Sequence, residues 1–247
     1  MSESSFVFGI HAVRTLLRQR PERALLLLLQ KGREDARASE LMHIAQSAGV
    51  RTEWRDAHEL ERIVGSAHHQ GACLQMRPSS PLGEGALDDL LDRASEPPLL
   101  LVLDGVQDPH NLGACLRTAD GAGVLAVIVP RDRAAGLSPT VRKVASGAAE
   151  TVPLIQVTNL ARTLRWLKER EIWIVGTDDE ATQSLYQSKL TGPLAIVLGA
   201  EGSGLRRLTR ETCDALVSIP MRGVVESLNV SVATGIVLYE VLRQREI

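Results

Sequence analysis

Two kinds of hydrophobic pattern divide the chain. In the first 77 residues, helical and extended spacings take turns. Ile10, Val13, Leu16 and Leu17 recur every three to four positions, the period of a helix with one apolar face. The run 24–29 is continuously apolar and short, which predicts a buried strand. Leu41, Ile44, Ala45 and Ala48 mark a second helical face, and Gly49 is placed to end it. A further strand is expected at 72–76. Beyond residue 97 the strands themselves change character. Runs at 99–103, 125–129, 172–175 and 194–198 are apolar throughout, and 216–219 is broken only by Ser218, with helical patterns between most of them. Strands apolar on both faces belong to a parallel sheet covered on both sides. The pattern predicts an α/β fold.

Between these regions the pattern breaks. Pro78-Ser79-Ser80-Pro81-Leu82-Gly83-Glu84-Gly85, a short acidic stretch and Pro97-Pro98 read as a linker. The expected organisation is therefore a small N-terminal domain at 1–77, a flexible linker at 78–96 and a larger domain at 97–247. No apolar run approaches the roughly 20 residues of a membrane span, and no secretory leader is expected. Three cysteines, odd in number and far apart, fit a reducing cytoplasm and no zinc site.

The formal charge is −2, which is unpromising for a nucleic-acid binder. Its distribution is more informative. Residues 1–77 hold 11 Lys/Arg against 9 Asp/Glu, and five of the six histidines. Residues 78–96 hold one Arg against five acids, and residues 97–247 balance at 16 and 16.

Three polar loops follow apolar strands and carry the candidate chemistry. The first is Asp104-Gly105-Val106-Gln107-Asp108-Pro109-His110-Asn111, leading to Arg117. The second is Gly199-Ala200-Glu201-Gly202-Ser203-Gly204. The third is Ile219-Pro220-Met221-Arg222-Gly223, followed by Ser227-Leu228-Asn229. Ligands of open α/β sheets sit where strand ends meet such loops. Gly121-Ala122-Gly123-Val124-Leu125-Ala126 imitates a dinucleotide fingerprint, but it closes a helix and enters a strand, the reverse of what a nicotinamide site needs. The second loop lacks the Lys-Ser/Thr pair of a phosphate-gripping loop, and Glu201 would repel a phosphate. Asp104 and Asp108 lack a third partner at metal-ligand spacing, so no metal is expected. Arg117 lies nearly two turns beyond Asn111 among small and apolar neighbours. A guanidinium on a largely buried helix needs a partner or a role. Ser227 fits an N-cap for a buried C-terminal helix, and Ser138-Pro139 fits the start of another.

These three loops, in this order and spacing, resemble the three motifs of the SpoU (TrmH) family of RNA ribose 2′-O-methyltransferases, within the knotted SPOUT class. The resemblance implies a deep trefoil knot in the C-terminal domain and S-adenosylmethionine as cofactor. It implies Arg117, Asn111, Glu201, Ser227 and Asn229 as catalytic residues. It implies a cofactor pocket built from Leu198, Gly199, Ala200, Ile219, Pro220 and Leu228. Phe8-Gly9-Ile10-His11-Ala12-Val13 and His69-Gln70-Gly71 resemble the L30e-like RNA-binding domain of one branch, whose substrate is a guanosine of 23S ribosomal RNA. A homodimer is also implied. Transfer RNA as substrate, or RNA binding without catalysis, are the alternatives. Glu226, directly before the serine, departs from the small or polar residue usual there. Whether Arg117 acts as base or as electrostatic stabiliser stays open. A guanidinium holds its proton too tightly to make a ready base, which favours the second.

Overall fold

A computed structural model describes residues 5–33 and 35–245. The chain divides into two compact units, Met1–Ser79 and Ser80–Ile247.

The first unit runs β1 (Ser5–Phe8), α1 (Ile10–Gln19), β2 (Ala24–Gln30), α2 (Ala36–Ser47), β3 (Arg51–Arg55), α3 (Ala57–Val64) and β4 (Ala72–Met76). Its sheet has the order β1-β4-β2-β3. Alternation along β2 and β4 gives each face its own core. Leu27, Leu29, Leu74 and Met76 pack with Val13, Leu16 and Leu41 of α1 and α2. Leu28 and Cys73 pack with Leu60 of α3 on the other side. Asp35 caps α2 by accepting from Ala38 N at 2.9 Å, and Gly49 turns the chain out of it at φ +69°. The two separated segments singled out in the sequence meet here: Ile10 N donates to Gln70 Oε1 at 3.1 Å. The periodicity did not reveal β1, β3 or α3. Strand β3 reads Arg-Thr-Glu-Trp-Arg and pairs along one edge only, so no continuous apolar run marks it.

The second unit contains α4 (Glu84–Asp92), β5 (Leu99–Asp104), α5 (Pro109–Gly121), β6 (Ala126–Pro130), α6 (Pro139–Ala145), α7 (Ala148–Thr151), β7 (Leu154–Val157), α8 (Leu160–Glu169), β8 (Trp173–Thr177), β9 (Leu194–Gly199), α9 (Arg207–Thr212), β10 (Ala215–Val217) and α10 (Val230–Arg245). Six parallel strands lie in the order β10-β8-β9-β5-β6-β7. Leu99, Leu101 and Leu103 face a core with Leu112, Leu116, Leu238 and Val241. Leu100 and Val102 face another with Leu87, Leu160 and Leu164. Burial on both faces explains the unbroken apolar runs. Strand β7 escaped sequence reading because it is a short edge strand interrupted by Gln156. The Gly121–Ala126 stretch does end α5 and lead into β6, with Gly123 at φ +66°.

The segment 78–96 differs from the flexible linker expected. Only its first two residues belong with the N-terminal unit, and α4 is built into the second one. Leu87 is fully buried, with Leu90 and Leu91 packed beside it. Leu82 N donates to Leu154 O and Gln156 N to Leu82 O, both at 2.8 Å. The acids that suggested solvated chain are on the outer side, where Asp88 and Asp92 pair with Arg170. Prolines and glycines here frame a short helix.

The last turn of α10 is held by charge. Arg243 and Gln244 donate to Glu240, whose carboxyl they pull down to about 2. A depressed carboxylate stabilises the fold above its unfolded value, and that stability is lost as pH falls toward the folded value. The wild-type melting temperature should therefore fall between about pH 4.5 and pH 2 more steeply than that of Glu240→Gln. Parallel melting curves for the two proteins would contradict this account of the α10 terminus.

Candidate active site

The C-terminal ends of β5, β9 and β10 bring the three loops together. Asp108 caps α5 by accepting from His110 N at 2.9 Å, with Pro109 in the first turn, so the helix starts two residues before Asn111. Gly113 lets α5 and α6 cross closely, since a Cβ there would lie 2.7 Å from the Val144 Cβ. The second loop folds back on its own origin. A Cβ on Gly199 would lie 2.1 Å from the Gly204 carbonyl carbon, so no side chain fits. Gly204 N donates to Ala200 O at 3.0 Å, and Gly202 and Gly204 take φ of +75° and +61°. Glycine adopts such angles without strain.

A cavity of about 840 Å³ opens between the second and third loops. That is within the roughly 300–1,000 Å³ of small-molecule sites. Leu198, Gly199, Ala200, Ile219 and Leu228 line it, as do Glu201, Ser227 and Asn229. Pro220 does not; it is exposed between Ile219 and Met221, which do. At the cavity's edge Asn229 joins two of the other candidates. Its Nδ2 donates to Asn111 Oδ1 at 3.0 Å and to Glu201 Oε1. An amide nitrogen has two hydrogens, one for each acceptor. Its Oδ1 accepts from Ser231 N at 3.0 Å. Asn229, and not Ser227, therefore caps α10, and Ser227 is left exposed within the third loop.

Arg117 stands apart. It does not line the cavity, it is exposed, and it makes no hydrogen bond or ion pair with any described residue. The buried side of α5 is made by Asn111, Leu112, Cys115, Leu116 and Ala119. Small neighbours predict a buried guanidinium in need of a partner; the helix instead turns Arg117 outward.

Sequence reading missed two ion pairs at the site. Asp104, weighed there only as a metal ligand, is buried and paired with Arg206. Asp178 pairs with Arg210, and both line the cavity. A carboxylate closing an otherwise apolar buried strand was the available signal for the first. The cysteines offer no nucleophile near neutral pH. Burial pushes the Cys115 thiol up to about 11, and those of Cys73 and Cys213 up to about 12.

Comparison with known proteins supplies the family. Residues 6–82 match the family described as RNA 2'-O ribose methyltransferase substrate binding. The chain is 57% identical over 242 residues to the 23S rRNA (guanosine-2'-O-)-methyltransferase RlmB of Vibrio vulnificus, covering 98% of each protein. A crystal structure of an RNA 2'-O ribose methyltransferase superposes with a TM-score of 0.73 at 27% identity, over all of this chain and 90% of that one. The fold is also that of AviRb from Streptomyces viridochromogenes, solved with AdoMet, with a TM-score of 0.72 at 24% identity over 98% and 90% of the two chains. Residues 98–239 match the SpoU rRNA Methylase family, and with a full-length relative at this identity the chain belongs to that family.

Proposed function

We propose that the protein transfers the methyl group of S-adenosylmethionine to the ribose 2′-hydroxyl of a guanosine in 23S ribosomal RNA. The observation that carries this reading is the 57% identity, sustained over 98% of the chain, with an enzyme of that named activity. The cavity chemistry suits the cofactor. Leu198, Val217, Ile219 and Leu228 offer an apolar wall, and Gly199 lets a ligand approach the backbone. Glu201 places a carboxylate at the edge, favourable to a sulfonium and unfavourable to a bare phosphate. S-adenosylmethionine supplies an electrophilic methyl group. The protein's share is to orient and to stabilise charge. Asn111, Glu201 and Asn229 form one hydrogen-bonded unit that fixes the second loop against the third. Arg117 takes the electrostatic role, holding the adjacent phosphate and stabilising the 2′-oxyanion.

Arg117 lies outside its own chain's cavity, which favours a site completed by a second copy. Val232 and Tyr239, seven residues apart on α10, are 51% and 55% exposed, an apolar face that a partner would cover. Light scattering at micromolar concentration should give the mass of a homodimer. A fully active monomer would refute the shared site. The trefoil knot of the SPOUT class belongs to the same reading, as does residence in the cytoplasm with the ribosomal RNA. Among the described residues, no helix is long and apolar enough to cross a membrane.

The test of function is a map of ribose methylation in 23S RNA from cells with and without the gene, repeated with purified protein. One guanosine should lose its methyl group and regain it in vitro. An unchanged 23S map, or a methyl lost from transfer RNA instead, would overturn the assignment.

A further inference from the structure

We propose that Asp104 is a positioning residue for the reaction, acting through Arg206 to hold the loop that walls the cofactor cavity. The inference rests on the cofactor assignment made above. Asp104 is the last residue of β5 and its side chain has no exposed surface. Burying a carboxylate is costly unless hydrogen bonds and an opposite charge compensate. Both come from one residue: Arg206 N donates to Oδ2 at 3.0 Å, and the Arg206 guanidinium pairs with Oδ1.

The strand register gives this pair its meaning. Asp104 lies opposite Gly199, the residue from which the second loop departs. Arg206 is where that loop ends, directly before α9. Both ends of the loop are thus fastened at Asp104, one through the β5–β9 ladder and the other through the ion pair. Between them lie Glu201, Gly202 and Ser203, all facing the cavity. Glu201 also accepts from Asn229, so the loop's setting decides how the second and third loops meet. An apolar pair would pack here with less desolvation. A carboxylate aimed at a backbone N–H and a guanidinium adds direction, which a cofactor wall made largely of backbone requires. Arg206 is half-exposed at its side chain, so the latch can be opened from outside the core.

Three variants test this: Arg206→Met, Asp104→Asn with Arg206→Met, and Arg206→Lys. Arg206→Met strands a buried charge, so its melting temperature should fall. The double variant removes that charge and should melt near wild type. Even so, in the cofactor-free protein its amides at 200–206 should exchange faster, and calorimetry should show S-adenosylmethionine binding weakened by about tenfold. RNA affinity should not change, and Arg206→Lys should recover part of the cofactor affinity lost in Arg206→Met. A folded double variant with wild-type exchange and wild-type cofactor affinity would overturn the proposal. Should the double variant not fold, wild-type affinity and exchange in Arg206→Met would overturn it equally. Wild-type protein that binds no S-adenosylmethionine would instead sink the function assigned above, and loop exchange would still decide the latch.

Discussion

Arg117→Ala is expected to slow methyl transfer by about 100- to 1000-fold, the usual cost of removing one preorganised electrostatic stabiliser of a transition state. Folding and cofactor affinity should stay close to wild type. Three observations motivate this separation. Arg117 is exposed on α5, it makes no polar contact with any described residue, and it does not line the cavity. Replacing an exposed helical arginine with alanine is close to neutral for stability. An evolved role in the cofactor pocket would instead appear as weaker S-adenosylmethionine binding. The decisive measurement is single-turnover methylation with saturating cofactor and RNA, alongside calorimetric cofactor binding. Near-normal turnover would remove Arg117 from the mechanism. Normal turnover with weakened cofactor binding would return it to the pocket. Arg117→Lys separates charge from shape. Lysine keeps the charge but loses the planar fork that grips a phosphate oxygen pair, so partial activity is expected.

How far the sequence spoke depends on which signal each element carries. The parallel strands were legible because both their faces are buried, so β5 is apolar up to its closing Asp104 and β9 along its whole length. Helix α5 was legible from its small and apolar residues, but its first turn was not, because Asp108 and Pro109, which start it, read as part of the preceding loop. Edge elements were not legible. Strand β3 pairs along one side and β7 has a single neighbouring strand, with Leu82 alone bridging its outer edge, and polar residues such as Glu53 and Gln156 interrupt them. Helix α4 was hidden by its flanks, since two turns with one buried leucine at 0% exposure give too short a period to outweigh surrounding prolines and glycines. Within the site, the loops were readable but their joins were not. Nothing in spacing says that Asn229 reaches Asn111 and Glu201 at once, because those contacts cross 118 and 28 residues. Burial of Asp104 and exposure of Arg117 are likewise tertiary facts. Residue type told that each was unusual for its element, and only the fold told in which direction.

A fragment beginning at Ser80 should keep the cofactor and lose most of the RNA affinity. The starting point follows from α4: beginning after the acidic stretch would strip Leu87 from a core it fills. Cutting such a residue away exposes a large apolar surface, at a cost of about 2–5 kcal/mol for a buried leucine side chain alone. All residues lining the cavity lie beyond Ser80, in a unit with its own cores on both faces of its own sheet. Calorimetry should therefore give a cofactor affinity near that of the whole chain. RNA affinity is assigned to the first unit for a reason that net charge conceals. Arg14 and Arg18 pair with Glu40, and Arg51 and Arg55 with Glu53. Arg20, Arg37, Arg62 and Arg77 are exposed and make no ion pair with any described residue. These four remain available to phosphates. Each phosphate neutralised contributes about 0.7–0.9 to the slope of log affinity against log salt. If all four engage, the whole chain should show a slope steeper than the fragment's by about three. Binding of a 23S RNA segment by both proteins at two salt concentrations measures that difference. Equal affinities and equal slopes would show that the first unit does not hold RNA, and would leave its match to a substrate-binding family without a physical basis in this chain.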